Sequence, residues 1–192
     1  MNRAIFLDRD GVINKLVFNH LTKEYESPHY VEDLELYQWT LEALQKLQEK
    51  GFLLFLVSNQ PSFAKGKTSL ENIKAIHNRF HIYVTDNGIK FTEYYYCYHH
   101  PQGIIPEFTC KCECRKPSPY FLLKAKKEFH LNMENSWFIG DRDTDIFCGQ
   151  SAGVKTILIE EEHSSNNRGN SNPNFSVGNL KEAVEMIINK KL

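Results

Sequence analysis

The stretch Arg3-Ala-Ile-Phe-Leu-Asp8-Arg-Asp10-Gly11 decides the fold of this chain. Its apolar run at 4–7 has the length and character of a buried strand, and Asp8 and Asp10 follow it on a glycine turn. Ligands of open α/β sheets bind where strands end, so the two carboxylates predict a functional site. Acids that only satisfy the amides of a turn give the same local pattern, and the rest of the chain decides between these interpretations.

Three further polar clusters occur at comparable positions. Two follow apolar runs typical of buried strands, at 52–57 and 136–140, and one opens a helical stretch. The clusters are Ser58-Asn59-Gln60, Asp141-Arg142-Asp143-Thr144-Asp145 and Arg115-Lys116-Pro117. Because parallel strands end at one edge of a sheet, we expect all four clusters to meet there. Acids, a hydroxyl and a lysine are the groups that phosphoryl transfer requires, since positive charge must surround the transferred phosphate.

The order of the clusters resembles that of the haloacid dehalogenase-like phosphatases. Asp-x-Asp-Gly, Ser-Asn-Gln, a lysine and Gly-Asp-x-x-x-Asp follow one another between about Arg3 and Val177. The resemblance implies an α/β fold with a Rossmann-like, doubly wound and mostly parallel sheet, and the alternation of predicted strands and helices indicates the same class. No insertion is long enough for a separate cap domain, so we expect residues 1–192 to form a single domain.

Each motif residue has an expected role in such a site. Asp8 is the nucleophile and forms an aspartyl-phosphate, while Asp10 protonates the leaving oxygen and later deprotonates the attacking water. Mg²⁺ is the expected cofactor, held by the carboxylates of Asp8 and Asp141 and, by resemblance, by the main-chain oxygen of Asp10. The expected phosphate-binding residues are Ser58, Asn59, Gln60 and Lys116.

Three other residues of these motifs are candidates for the site. Arg115 adjoins Lys116, and its guanidinium can grip a second phosphate bidentately. Arg142 directly follows Asp141 and is a further candidate for substrate contact. Asp145 reaches the metal, orients Lys116, or is a first-turn acid favoured by the helix macrodipole.

Four of the five cysteines fall between positions 97 and 114. Cys97-Tyr-His99 and Cys112-Glu-Cys114 form two close pairs of the ligands that tetrahedral zinc prefers. In the absence of a signal peptide, this clustering favours a metal over disulfides. Cys110 competes with these cysteines and His100 competes with His99. We expect Cys112 and Cys114 because they are the pair nearest Arg115. A set of buried thiols is the non-metal alternative.

The stretch 96–103, taken with 112–117, resembles a narrower family, the D-glycero-D-manno-heptose 1,7-bisphosphate 7-phosphatases. The related histidinol-phosphate phosphatases share its zinc loop. The resemblance implies a structural zinc ion on Cys97, His99, Cys112 and Cys114, which folds a loop at about 97–114 that presents the following arginine and lysine. Two stretches depart from the family pattern. A proline loop at 61–66 replaces a glycine loop, and residues 15–28 replace a shorter segment expected over the substrate.

Composition and charge limit the kinds of partner that we expect this chain to bind. A net charge of −1 supplies no basic field for nucleic acid, and no apolar stretch approaches the length of a membrane span. The four apolar residues after Arg3 do not make a secretory signal. We therefore expect a cytoplasmic monomer whose partner is a small-molecule sugar phosphate, with neither nucleic acid nor membrane as a partner.

Three hypotheses follow. The first is a Mg²⁺-dependent sugar-phosphate phosphatase, acting on the 7-phosphate of heptose 1,7-bisphosphate in the synthesis of nucleotide-activated heptose for surface polysaccharide. The second is the same chemistry on another phosphate ester, histidinol phosphate foremost. The third is a catalytically weak relative that serves as a partner or regulatory subunit, suggested by the altered loop at 61–66.

Apolar periodicity gives a coarse map of the elements. It predicts helices at about 40–50, 69–86, 118–129, 144–152 and 180–189. It predicts strands at about 4–7, 52–57, 91–96, 136–140 and 155–159. The polar segment 160–174 is rich in serine and asparagine and predicts a mobile surface loop.

Overall fold

The computed structural model describes residues 1–189. The strands in these residues are β1 (Arg3–Leu7), β2 (Val17–Asn19), β3 (Glu24–Glu26), β4 (Phe52–Asn59), β5 (Phe91–Cys97), β6 (Trp137–Gly140), β7 (Lys155–Ile159) and β8 (Phe175–Val177). The helices are α1 (Thr40–Glu49), α2 (Leu70–Asp86), α3 (Tyr120–Phe129), α4 (Asp143–Ala152) and α5 (Leu180–Asn189).

Six of the strands form one sheet in the order β5-β4-β1-β6-β7-β8, and every neighbouring pair is parallel. After β1 the chain adds β4 and β5 on one side, then returns to add β6, β7 and β8 on the other. The strand order therefore reverses at β1, and ligands of doubly wound sheets bind at such a point. The predicted fold class is confirmed.

Side chains of β1 alternate between two cores, which explains why the strand reads as a continuous apolar run. Ile5 and Leu7 pack with buried residues of α1, α2 and α5 on one face. Ala4 and Phe6 pack with α3 and α4 on the other. With both faces of the sheet covered by helices, a ligand is expected at the carboxyl ends of the strands.

The predicted helices and strands lie within a few residues of the observed ones, and two features of the strands were not predicted. One is the antiparallel hairpin β2–β3, which forms the second sheet of the described residues. The segment that carries it is closed at its base, because Asn14 bridges to Leu36 and the Lys15 amide donates to the Glu35 carbonyl at 2.9 Å. The other is β8, which extends the sheet beyond β7.

The segment 160–174, which its composition predicts to be a surface loop, is mostly exposed and contains one stretch of regular structure. Residues Glu162–Asn167 form a 3-10 helix. Beyond it, the Asp143 carboxylate accepts hydrogen bonds from the amides of Gly169, Asn170 and Ser171 at 2.9–3.2 Å. A carboxylate at the start of α4 thus fixes a polar segment that has few apolar residues to pack.

None of the helices among residues 1–189 has the length and apolar character needed to cross a bilayer.

Candidate active site

The four polar clusters meet at the carboxyl edge of the sheet, around β1, β4 and β6. Asp8 directly follows β1, Ser58 and Asn59 end β4, and Asp141 directly follows β6. The edge opens into a cavity of about 540 Å³. The predicted site residues that line it are Asp8, Asp10, Asn59, Arg115, Lys116, Arg142 and Asp145.

Lys116 is a buried ammonium group between two carboxylates. Its Nζ lies 2.9 Å from Asp8 Oδ1 and 2.8 Å from Asp145 Oδ1, and it donates to the Val57 carbonyl at 2.7 Å. Burial lowers the pKa of Lys116, but the Asp145 and Asp8 carboxylates outweigh burial, so the pKa is raised. The lysine is therefore a fixed positive charge beside the predicted nucleophile.

Asp145 orients Lys116 and lies in the first turn of α4, as two of the sequence interpretations have it, while its contact with a metal stays a prediction. It pairs with Lys116, and its Oδ2 accepts the Arg142 amide at 3.0 Å at the start of α4. Its carboxylate also lies within 4.8 Å of those of Asp8 and Asp141, close enough for the three to share an ion. Gly140 makes room for it, because a Cβ at that position would lie 2.2 Å from the Asp145 Cβ.

Asp141 is fully buried, and both of its carboxylate oxygens are without a hydrogen-bond donor in residues 1–189. The nearest cation is Arg142, whose Nε lies 3.6 Å from Oδ2. Burial raises the pKa of Asp141 to about 8; the Arg142 guanidinium opposes this rise, while Asp145 and Asp8 add to it. Buried carboxylates that lack partners are costly, and a divalent cation satisfies such oxygens. The donor set therefore fits a hard metal ion.

Asp10 lines the same cavity, and its carboxylate lies in a network of hydrogen-bond donors. The Arg9 guanidinium contacts both of its oxygens, with Nε to Oδ1 at 3.1 Å and Nη2 to Oδ2 at 3.2 Å. Asn14 donates to Oδ1 at 3.0 Å, and Gln60 donates to Oδ2 at 2.6 Å. Burial raises the pKa of Asp10, yet Arg9 and the hydrogen bonds outweigh it and lower the pKa. Asp10 is thus ionised in the free protein.

Ser58 and Asn59 at the end of β4, and Gln60 directly after it, make different hydrogen bonds. The Ser58 hydroxyl is buried at the edge of the sheet and accepts the Gln60 amide at 2.9 Å. Gln60 thereby links this hydroxyl to Asp10. Asn59 makes two hydrogen bonds with the main chain of Lys116, at 3.1 and 3.2 Å. Its amide therefore holds the lysine in place, and its predicted contact with phosphate stays a prediction.

Two arginines flank the acids at the wall of the cavity. Arg115 donates to the His99 carbonyl at 3.3 Å and makes no ion pair with a carboxylate within residues 1–189. Arg142 lies beside Asp141 at the start of α4. Both guanidinium groups line the cavity, as a role in binding an anionic substrate requires.

The predicted zinc ligands form one cluster. Cys112 Sγ lies 3.4 Å from the sulfur atoms of both Cys97 and Cys114, and His99 Nδ1 lies 3.9 Å from Cys97 and 3.6 Å from Cys114. Ligands at the corners of a zinc tetrahedron with Zn–S bonds of about 2.3 Å lie roughly 3.8 Å apart. The four side chains therefore fit a tetrahedral metal site.

The competing residues lie elsewhere. Cys110 is exposed and belongs to neither of the possible metal clusters in residues 1–189. The His100 Nδ1 accepts the amide of Gln102 at 3.1 Å and so caps its own turn.

The sequence places residues 15–28 over the substrate, but the contacts that hold this cover against the rest of the domain were not predicted. The β2–β3 hairpin contributes Glu26, which pairs with Lys67 at 2.6 Å, and Tyr25, which stacks on His163 with ring centroids 3.5 Å apart. Lys65 lines the cavity as well. These contacts join stretches far apart in sequence, so no local pattern could reveal them. Arg9 was also missed, although its place between two site aspartates was a usable signal.

Relatives of known name share this architecture. The HAD-hydrolase-like family model matches residues 113–183. A D-glycero-alpha-D-manno-heptose-1,7-bisphosphate 7-phosphatase of Photorhabdus laumondii is 32% identical over 162 residues, covering 84% of this chain and 84% of that protein. The chain belongs to the heptose-1,7-bisphosphate 7-phosphatase family of haloacid dehalogenase-like phosphatases.

Two further relatives agree with this membership. The D-glycero-beta-D-manno-heptose-1,7-bisphosphate 7-phosphatase of Pasteurella multocida is 31% identical over 188 residues, covering 97% of each chain. A crystal structure of D,D-heptose 1,7-bisphosphate phosphatase from B. bronchiseptica, complexed with magnesium and phosphate, superposes with a TM-score of 0.80. It is 21% identical, and the match covers 97% of this chain and 98% of that one. At this identity the similarity speaks for the fold.

Proposed function

We propose that this protein is a Mg²⁺-dependent phosphatase that removes the 7-phosphate of D-glycero-D-manno-heptose 1,7-bisphosphate, in the supply of nucleotide-activated heptose. The observation that carries the proposal is the cluster of Asp8, Lys116, Asp141 and Asp145 in one buried site that opens into the cavity. A lysine and a group of acids suited to a cation can surround a phosphoryl group with positive charge.

Asp8 is the proposed nucleophile. Its Oδ1 accepts the amide of Arg9 at 2.7 Å as well as the Lys116 ammonium, so the orientation of the carboxylate is fixed. A carboxylate that attacks phosphorus forms an acyl phosphate, and the alcohol leaves with a proton. Lys116 and the Ser58 hydroxyl are proposed to hold the oxygens of the transferred group, and Lys116 also offsets their charge.

Asp10 is the proposed acid and base. It protonates the leaving oxygen and then removes a proton from the water that hydrolyses the aspartyl-phosphate. Its ionised state in the free protein suits the second step. A phosphate dianion bound beside it raises the pKa of Asp10 by like-charge repulsion and so favours proton uptake for the first step.

The metal that the family implies fits the residues present. The carboxylates of Asp8 and Asp141 would hold Mg²⁺, with the main-chain oxygen of Asp10 as a third ligand, and Asp141 has two oxygens without donors in the described chain. Bound there, Mg²⁺ supplies positive charge to the phosphoryl oxygens. The crystallised relative from B. bronchiseptica is complexed with magnesium and phosphate.

A second phosphate explains the remaining cations of the cavity. Arg115 and Lys65 both line the cavity, and neither has a carboxylate partner in residues 1–189. A bisphosphate offers them a second anionic group, whereas histidinol phosphate does not. The zinc site of Cys97, His99, Cys112 and Cys114 is proposed to be structural, because Arg115 directly follows its last ligand and gains a fixed position from it.

The test is phosphate release from a panel of substrates. The panel contains both anomers of the heptose bisphosphate, because similar relatives are named for the alpha and the beta form, with fructose 1,6-bisphosphate and histidinol phosphate beside them. We expect a heptose bisphosphate to give the highest kcat/KM. A preference for histidinol phosphate would contradict the sugar, and release from none would favour the catalytically weak relative.

The variant Asp8→Asn tests the covalent mechanism. Loss of the nucleophile should lower kcat by about a thousandfold or more, with Tm nearly unchanged because Lys116 keeps Asp145. A variant that turns over at close to the wild-type rate would exclude Asp8 as the nucleophile.

A further inference from the structure

The 3-10 helix at Glu162–Asn167 packs against the domain through a polar side chain. Among the six residues of this helix only Ser164 is buried, and none of its surface is exposed. Helices usually pack through apolar side chains, and burying a hydroxyl costs free energy unless it is hydrogen-bonded. A buried serine in this position therefore indicates that its hydroxyl makes a specific contact.

The Ser164 hydroxyl joins three groups. It accepts a hydrogen bond from Arg168 Nη1 at 3.0 Å, and it lies 3.2 Å from the main-chain carbonyl oxygens of both Asp141 and Glu161. A guanidinium can only donate, so the proton of Ser164 is directed to the carbonyls. Because Arg168 Nη1 also donates to the Glu161 carbonyl, the Asp141 carbonyl is the acceptor that depends on Ser164.

The main chain of Asp141 decides where its carboxylate points. The carboxylate oxygens have no hydrogen-bond donor among residues 1–189, so no such bond sets their direction. On one side they meet Gly11, where a Cβ would lie 2.6 Å from Oδ2. The direction of the side chain then follows from the backbone that carries it, and the hydrogen bond from Ser164 holds that backbone.

The chain that follows Ser164 is anchored close by. The Asp143 carboxylate accepts hydrogen bonds from the amides of residues 169–171 at 2.9–3.2 Å. The segment 164–171 thus contacts the chain at Asp141 and again at Asp143, on either side of Arg142. These two attachments give Ser164 a fixed position from which to act on Asp141.

We propose that Ser164 and Arg168 are positioning residues for Asp141, acting through its main-chain carbonyl to hold the carboxylate toward the cation. The inference rests on the proposed function, in which Asp141 is a ligand of Mg²⁺. Each contact has one polarity, because Arg168 donates to Ser164 and Ser164 donates to Asp141. Groups that orient metal ligands without touching the metal commonly contribute about 10- to 100-fold to its affinity.

Ser136 offers a matched comparison at the other end of β6. It is fully buried as well, accepts the amide of Ala4 at 2.9 Å and donates to the Asn132 carbonyl at 2.6 Å. Both serines therefore accept one hydrogen bond and donate to a main-chain carbonyl. They differ in that the carbonyl bound by Ser164 belongs to a proposed metal ligand.

The experiment compares Ser164→Ala with Ser136→Ala in the full-length protein without substrate. The Kd for Mg²⁺ is obtained from the rise of Tm with Mg²⁺ concentration. Each change removes a buried hydrogen bond, so both should lower the Tm of the metal-free protein by about 2–6 °C. We expect Ser164→Ala to raise the Kd about tenfold and Ser136→Ala to keep it within about twofold. An unchanged Kd in Ser164→Ala, or equal increases in both variants, would overturn the inference.

Arg168→Ala is a second test that leaves the buried serine in place. Loss of a positive charge in this region would by itself strengthen Mg²⁺ binding, whereas loss of the hydrogen bond to Ser164 should weaken it. We expect the Kd to rise by about two- to fivefold, and an unchanged or lower Kd would contradict the inference.

The wild-type protein separates this inference from the proposed function. If its Tm does not respond to Mg²⁺, the proposed metal site fails and the inference fails with it. If it binds Mg²⁺ but releases phosphate from no substrate, the proposed function fails alone. If it binds Mg²⁺ and neither Ser164→Ala nor Arg168→Ala weakens that binding, the inference fails alone.

Discussion

At the scale of single residues, Gly140 controls the geometry of the buried acids. The backbone of β6 passes so close to Asp145 that a Cβ at position 140 would lie 2.2–2.5 Å from three of its side-chain atoms. Asp145 cannot move away without giving up Lys116 or the amide at the start of α4. The glycine is therefore required by close approach.

We expect Gly140→Ala to lower the free energy of unfolding by about 2–3 kcal/mol, the usual range for an overpacked core. Turnover should fall as well, because displaced Asp145 no longer orients Lys116. Thermal melts and phosphate release measure the two effects. Gly178→Ala is the control, since its Cβ would meet only the flexible end of Glu182 at 3.3 Å, and it should change stability by less than about 0.5 kcal/mol. Equal losses in both variants would show that the contact with Asp145 is unimportant.

Most acids of the site could be placed from the sequence, because each follows a strand whose apolar run is unmistakable. Asp8 and Asp141 are such residues. Asn59 shows where this reasoning stops: its position is right, but its amide is taken up by the main chain of Lys116, far away in sequence. Position follows from local pattern, whereas the partner of a side chain depends on how distant segments pack.

At the scale of elements, the loop that carries the four predicted zinc ligands is the clearest case for a test. Four ligands surround a site in a stretch that has little apolar core of its own. Cys112→Ser should reduce bound zinc well below the roughly one ion per chain of a tetrahedral site and lower Tm by about 5 °C or more. Metal analysis and thermal melts measure both. Cys110→Ser, in the same loop but exposed, should leave both unchanged. The metal assignment is wrong if Cys112→Ser keeps its zinc and its Tm.

The β2–β3 hairpin is a second element with a testable role. Its Glu26 pairs with Lys67 across the cavity, and the same carboxylate lies 3.3 Å from His29. Glu26→Gln should loosen this cover and raise KM for the bisphosphate about fivefold, with little change in kcat. Steady-state kinetics measures KM and kcat of the variant. The control is Glu42→Gln, which removes an exposed ion pair on α1. An unchanged KM would mean that the hairpin does not contribute to substrate binding.

The elements that the sequence predicted and those it did not differ in a simple way. Strands buried on both faces, such as β4, are continuous apolar runs, and helices such as α5 keep a clear apolar side. The strands β2 and β8 have three residues each and are largely exposed or half-buried. They are held by pairing and by contacts with other segments, so their own residues carry little periodic signal.

At the scale of the whole molecule, we expect the cluster of buried acids to lower stability and the cation that we propose for this site to offset the loss. Asp8, Asp141 and Asp145 lie close together, and Lys116 pairs with two of them, Asp8 and Asp145. Neither oxygen of the Asp141 carboxylate has a hydrogen-bond donor among the described residues. Removing that carboxylate relieves repulsion and desolvation. Stability and metal binding are therefore opposed at this position.

We expect Asp141→Asn to raise Tm in the absence of metal and to abolish turnover. Wild-type protein should gain about 5–10 °C at Mg²⁺ a hundredfold above Kd, and the variant should gain little. Thermal melts with and without Mg²⁺ measure this. Asp143→Asn is the control with the opposite sign: it weakens a carboxylate that accepts three main-chain amides, so Tm should fall while the response to Mg²⁺ persists. A variant at Asp141 that melts below wild type without metal would contradict this account.

The closed base of the hairpin segment has a consequence for how substrate preference can change. Because Asn14 and Leu36 are bridged directly, the intervening chain leaves and re-enters the domain at nearly the same place. A segment of different length could therefore replace this one between Asn14 and Leu36 without disturbing the residues of the proposed active site. Substrate preference can then change through this segment, while the residues that carry out the chemistry stay the same.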